Sequence, residues 1–348
     1  GAHFNLGNAL RAQGKFEDAI NSYQKAIAID ADHADAHCNL SLIYLALGWF
    51  QQGWDEYQWQ WRRKGAPSRL FAPSPWDGSD LDGREVFLYV EQGLGDELFF
   101  LRFVTRLRRQ GAGRITYLAN PKIASLLKRA NVCDDIAAPE EKPSKESLVL
   151  SVGDLPRLLG MKRADEIPPS LRLTPLPAKL AEMRARLLAL GPPPYLGVTW
   201  RGGTKKKKNV LYKECPLVPM ARVLRGIPAT VLVLQRELLA GEVASFEQTL
   251  GKKAHDLSAL NEDIEALLAL LALLDDYVGV SNTNMHLRAG TDKTARVLVP
   301  APPEWRWMAE GKESPWFPGF SVYRQGYDGN WDGALRELEN DLRRSLAE

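Results

Sequence analysis

The chain repeats itself at its start with an offset of 34 residues. His3 falls on His37, Asn5 on Asn39, Leu6 on Leu40, Gly14 on Gly48, Phe16 on Phe50 and Tyr23 on Tyr57. A period of that length holds one helix–turn–helix unit, which cannot bury its apolar face alone and must stack on a neighbour. The second copy departs from the first: Gly53 stands where the first copy has Ala19, and Trp59 and Trp61 crowd the last turn. Such an atypical copy suits a cap that docks on whatever follows. About three units are needed for a continuous core. Either more repeats precede residue 1, or the next domain covers the exposed face. The chain opens inside a repeat, so the array is expected to extend beyond it.

Asn5-Leu6-Gly7, Gly14, Ala19, Tyr23 and Ala26 closely resemble the tetratricopeptide (TPR) pattern, over residues 1–64. That resemblance implies a peptide-binding scaffold, with a packing appendage as the equal alternative. Residues 65–84 carry Pro67, Pro73, Pro75, Gly78 and Gly83 and read as a linker.

Beyond the linker, apolar strands alternate with helical patterns. Glu85–Val90, Arg114–Leu118 and Ser147–Ser151 read as strands, with helices over Glu97–Arg109 and Pro121–Ala130. Prolines at 168, 169, 175, 177 and 192–194 separate a second half. It restarts with the strand Tyr195–Trp200, then a helix over Val218–Arg225 and a strand over Ala229–Gln235. Asn261 caps a helix expected to run to Asp275, and Trp331–Leu346 is expected to strap one half to the other. The pattern predicts two Rossmann-like halves facing a cleft, over 85–190 and 191–330.

The most informative stretch of the second half is Tyr277-Val-Gly-Val-Ser-Asn-Thr-Asn-Met-His-Leu-Arg-Ala-Gly290. An apolar strand stops at four N-cap residue types, Ser281, Asn282, Thr283 and Asn284, and a helix opens near Met285. A helix start after a strand is an anion site, with His286 in its first turn. Ala295–Pro300 closes a βαβ unit, whose ligand lies at the carboxyl ends of the strands.

Composition excludes several classes. Hydrophobic and charged fractions of 45% and 25% are those of an ordinary globular chain, and a net charge of +2 argues against a nucleic-acid surface. Cys38, Cys133 and Cys215 show no metal spacing, so free buried thiols in a reducing compartment are expected. The apolar run Ala266–Leu274 is too short for a membrane span. A cytoplasmic protein without a bound metal or cofactor is the expectation.

Gly93-Leu94-Gly95-Asp96 after the first strand is neither a P-loop nor a full dinucleotide fingerprint. A tight turn with Asp96 as N-cap explains it, and so does a carboxylate at a strand tip serving as general base. Lys205–Lys208 reads as a solvated loop. Arg201 and Lys213 flank strand ends, where cations could stabilise a departing diphosphate.

From residue 83 onward the chain resembles GT-B glycosyltransferases of the heptosyltransferase-like family 9, in their TPR-fused branch. The pieces that carry the resemblance are Glu91–Asp96, Gly197–Gly203, Leu234-Gln235, Val280–Leu287, Glu304–Trp307 and Ser314–Trp316. It implies Asp96 as the base for an acceptor hydroxyl, with Gly93, Leu94 and Gly95 as the acceptor-side loop. Lys213 matches the lysine that steadies the donor phosphates. Thr283, Asn284, Met285 and His286 match the turn that holds the diphosphate, with Trp200, Arg201 and Gln235 beside it. Asn282 is a departure, because many relatives carry aspartate there.

The expectation is a metal-independent transferase that takes a nucleotide-sugar as substrate, its TPR repeats recruiting a protein acceptor or partner; the family resemblance alone implies inversion. A non-catalytic TPR scaffold whose second part binds nucleotide or glycan, or only packs, is the competitor, and a nucleotide-sugar epimerase a third reading.

Overall fold

The computed structural model describes residues 1–66, 68–90, 93–203 and 213–346. The chain divides into two compact units, Gly1–Leu173 with Glu304–Glu310, and Thr174–Pro303 with Gly311–Glu348. The division falls before the helix Pro177–Leu190, which the sequence-based boundary at 190 had left with the first half.

The first unit opens with helices Ala2–Ala12, Phe16–Ile29, Ala34–Ala46 and Phe50–Tyr57. Ala19, Tyr23, Ala36, Leu40 and Ile43 form a core between the second and third of these helices, with Phe4 and Leu10 of the first packed against it. The degenerate Gly53 has a packing reason. A Cβ there would lie 2.6 Å from Leu45 Cδ2, while the Ser41 hydroxyl donates to the Gly53 carbonyl at 2.8 Å. His37 stacks on Trp59 with centroids 3.9 Å apart, so one of the crowding tryptophans is a packing partner of the repeat.

A parallel sheet follows, with β1 (Val86–Tyr89), β2 (Ile115–Leu118), β3 (Asp135–Ala137) and β4 (Leu148–Ser151) in the order β3-β2-β1-β4. The single helix expected over 97–109 is three pieces: helix Leu94–Phe100, a 3₁₀ turn Leu101–Phe103 and helix Val104–Arg109. At the break the buried Arg102 donates its Nε to the Phe99 carbonyl at 3.0 Å, competing for an acceptor that a continuous helix would use.

The second unit holds six parallel strands: β5 (Tyr195–Thr199), β8 (Thr230–Val233), β9 (Ala254–Asp256), β10 (Asp276–Val280), β11 (Arg296–Val299) and β12 (Ser321–Arg324). Their order is β12-β11-β10-β5-β8-β9, and β6 (Arg201–Gly202) pairs antiparallel with β7 (Lys213–Glu214) as a separate hairpin. The cap expected at Asn261 is instead Asp263, whose carboxylate accepts from the Ala266 N–H at 3.0 Å at the start of helix Ile264–Leu273. Asn261 sits in the preceding 3₁₀ turn and donates to the Ser258 carbonyl at 2.7 Å. The last helix, Asp332–Leu346, gives its apolar face to the second unit. Leu335, Leu338 and Leu342 join Val198, Leu224 and Val231 in one core.

Candidate active site

In the second sheet the crossovers run from β5 toward β9 on one side, and from β10 toward β12 on the other. Ligands of such sheets bind outside the carboxyl ends of the strands at the point of reversal, which here lies between β5 and β10. Trp200 and Arg201 follow β5, and Ser281–Asn284 follow β10. The two strand ends approach closely: a Cβ on Gly202 would lie 2.6 Å from the Ser281 carbonyl oxygen, so a side chain there would force them apart.

Asn282 caps the helix Thr283–Gly290, its Oδ1 accepting from the Asn284 N–H at 3.0 Å. Its Nδ2 donates to Thr199 Oγ1 at 2.9 Å. The fully buried Tyr277 hydroxyl lies 2.8 Å from Thr199 Oγ1 and accepts from Asn284 Nδ2 at 3.2 Å. Burial pushes the Tyr277 phenol above its usual pKa, although these hydrogen bonds oppose the rise. Asparagine is thus used at position 282 through both ends of its amide. An aspartate could cap, but it could not donate to Thr199.

The Asn282 carbonyl also takes the Met285 N–H at 3.2 Å. An anion at this end therefore meets the helix dipole and the half-buried side chains of Thr283 and His286. His286 packs edge-on against Phe317, with centroids 5.3 Å apart. Met285 is fully buried and faces the core, so its part in the turn is through its backbone.

Trp200 is also fully buried, stacked on Phe246 at 5.2 Å, and its indole N–H donates to Glu242 Oε1 at 2.9 Å. Glu242 holds Arg201 at 2.5 Å through Nη1 and 2.9 Å through Nη2. Burial opposes ionisation of Glu242, but the Arg201 and Trp200 contacts and the Leu239 N–H carry its pKa below the ordinary value. Gln235 Oε1 accepts from the backbone N–H groups of Trp200 and Arg201 at 3.0 and 2.8 Å, and fixes where β5 ends. Arg201 and Gln235 thus shape the strand end. Lys213 lies opposite Gly202 in the hairpin, half-buried. The Lys205–Lys208 run lies outside the described residues.

The first sheet reverses in the same way, between β1 and β4. Gly93 follows β1 as the exposed N-cap residue of helix Leu94–Phe100, so Asp96 is a first-turn residue and not the cap. Leu94, Gly95 and Asp96 are half-buried. Asp96 Oδ1 accepts from Arg306 Nη2, and Arg306 Nη1 is 2.7 Å from Glu304 Oε1. Burial would lower the Arg306 pKa, but the Asp96 and Glu304 carboxylates raise it above the ordinary value. The neighbouring Glu97 is a structural pin: buried, with its pKa raised by burial, it accepts from the Tyr117 hydroxyl at 2.8 Å and the Asn120 N–H at 2.9 Å.

Sequence reasoning had assigned no role to Thr199, Tyr277, Glu242 or Arg306. Thr199 was legible as a polar residue at a strand tip. Glu242 sits in a helix, Glu242–Leu250, that no expectation covered. All three cysteines are free and buried, and burial pushes each thiol up to about 12. Among the described residues no group of three or more His, Cys, Asp or Glu could hold a metal ion, and no helix is long and apolar enough to cross a membrane.

Comparison with known proteins bears on both parts of the chain. A TPR repeat family model matches residues 2–48. Protein FlbA of Caulobacter vibrioides is 26% identical over 370 residues, an alignment covering 98% of this chain and 61% of that protein. The chain thus spans about three fifths of the length of this curated relative.

Among solved structures, a glycosyl transferase family 9 protein from Veillonella parvula matches with a TM-score of 0.58 at 12% identity, over 77% of this chain and 98% of its own. The ADP-heptose LPS heptosyltransferase II of E. coli matches with a TM-score of 0.52 at 11% identity, over 75% and 98%. The dodecameric iron-containing glycosyltransferase TibC of enterotoxigenic E. coli matches at 0.50 and 14% identity, over 82% and 81%. The architecture is therefore a TPR segment joined to the GT-B fold of family 9 glycosyltransferases.

Proposed function

We propose that this protein transfers a sugar from a nucleotide-sugar to an acceptor hydroxyl, with inversion at the anomeric carbon. The observation that carries the reading is the coincidence of chemistry with topology. In each unit residues fit for the reaction, Asp96 in the first and Thr283 and His286 in the second, follow a strand at which the sheet order reverses. Asp96 would take the acceptor proton as the acceptor oxygen bonds to the anomeric carbon. The bond from that carbon to the diphosphate would break, its electron pair leaving on the phosphate oxygen. The Lys213 ammonium, the helix start at Thr283 and the His286 side chain would stabilise that charge. Arg201, held by Glu242, would act by fixing the strand end.

The TPR repeats would bring a protein acceptor or partner to the enzyme. The capture of Arg201 by Glu242, and of the Asn282 amide by Thr199, favours a second reading: a TPR protein that binds nucleotide without turning it over.

A melting-temperature panel with UDP, GDP, ADP, dTDP and CMP on wild type and His286→Ala tests the binding half. A ligand that binds only the native state raises stability by about 2.7 kcal/mol at a hundred times its Kd. One nucleotide should raise the wild-type melting temperature and lose that effect in His286→Ala. No shift with any of the five at millimolar concentration would remove both readings. Binding without release of free sugar from the matching nucleotide-sugar would select the second.

A further inference from the structure

We infer that Arg306 is the positioning residue of Asp96, delivered to the first unit by the Glu304–Glu310 segment. The inference rests on the transferase reading above and assigns how its base is aimed.

A general base must offer one oxygen at a fixed place. Asp96 sits in a first helical turn with 32% of its side chain exposed, and packing alone would not hold so short and open a carboxylate. Arg306 supplies the constraint. Its side chain is only 8% exposed, and its Cζ lies 4.5 Å from the Phe99 ring centroid and 4.4 Å from that of Trp305. Those rings are themselves fixed. They meet edge-on at 5.4 Å, and Trp305 meets Trp54 of the second repeat edge-on at 5.3 Å. The Ala309 N–H donates to the Ala46 carbonyl at 2.7 Å and ties the segment to the third repeat helix. The guanidinium plane is thereby set by aromatic groups the helical repeats support.

A buried cation needs a counter-charge, and Glu304, with 11% of its side chain exposed, is already that partner at 2.7 Å. The second carboxylate differs from the first in its exposure. Asp96 gives Oδ1 to Arg306, and Oδ2 lies 3.7 Å from where a Cβ on the exposed Gly93 would stand. Among the described residues Oδ2 takes no hydrogen bond. One oxygen is anchored inward and the other turned outward, as a proton acceptor requires. In the reaction Oδ2 accepts the hydroxyl proton while Arg306 keeps Oδ1, so the carboxyl group does not turn away as it is protonated.

The test is a double-mutant cycle on the full chain, read as release of sugar from a panel of UDP-, GDP-, ADP- and dTDP-sugars with water as acceptor. Arg306→Met should lower kcat at least about tenfold, with the donor KM changed less than about twofold. Arg306→Lys should recover part of the loss and carries the cycle if the Met variant does not fold. In the Asp96→Asn background the same change should cost less than about twofold, because the group it aims is gone. If Arg306→Met slows Asp96→Asn by the same factor as wild type, the residue is only a packing element and the inference falls while the transferase reading stands. A wild-type rate in Asp96→Asn removes Asp96 as the base, and the inference with it. Wild-type protein that turns over none of the donors removes the transferase reading itself.

Discussion

The side chains around Arg201 show how a buried charged residue can organise the end of a strand. Its pair with Glu242 is nearly closed off, at 8% and 10% side-chain exposure, and organises Trp200 and the end of β5 around it. Glu242→Gln should cost about 3 kcal/mol at pH 7, the scale for breaking a buried pair from one side. The pH dependence has a definite sign. The folded-state pKa of Glu242 is lower than its ordinary 4.5, so the stabilisation is present above pH 4.5 and is lost as pH falls through the lower folded-state value. Thermal melts at pH 7 and below pH 4 check this: the gap between wild type and Glu242→Gln should shrink in acid. A gap that stays constant would mean the carboxylate's charge is not what matters. At this scale the sequence was readable where residue type and local turn sufficed, as at Asn282, one of four N-cap residue types at its helix start, but it put the cap of the helix Ile264–Leu273 at Asn261, two residues before Asp263. It placed Arg306 in a stretch that carries the family resemblance but gave it no role, because its partner Asp96 lies 210 positions away.

At the scale of elements, the strands and helices were legible where apolar runs are continuous. β1, β5 and β10 are buried at every position and stand out as such. β3, β9 and β12 escaped notice, and each is an edge strand of three or four residues with polar members. An edge strand is covered on fewer sides, so its sequence carries less apolar signal. The second repeat teaches a different point. Its glycine looked like decay of a pattern, yet the helices Ala34–Ala46 and Phe50–Tyr57 approach too closely for more. Gly53→Ala would gain about 1 kcal/mol in helix propensity. Overpacking against Leu45 should cost about 1–3 kcal/mol, and the net effect is expected to be destabilising. Urea denaturation measures it, and a stabilised variant would show that Leu45 yields freely.

At the scale of the molecule, the alternation of strands and helices announced two α/β halves, and the 34-residue period announced the helical repeats. What no local pattern could announce was a stretch of seven residues, Glu304–Glu310, belonging to the first unit while its flanks on both sides belong to the second. Membership of that kind is decided by tertiary packing of Trp305 and Arg306, not by propensity. A fragment ending at Leu173 lacks both side chains and uncovers Trp54 and Phe99, which they contact. It should show weakened near-ultraviolet circular dichroism and bind a hydrophobic dye, whereas the full chain should not. A fragment as rigid as its counterpart in the full chain would show the segment to be dispensable. The same seven residues bear on ancestry. No single crossover between genes can exchange one unit for a foreign one and leave both whole, because each such exchange strands the insert with the wrong half. Lineages carrying this arrangement would inherit the two units as a block, and a newly acquired second unit would have to arrive with its own graft for the first.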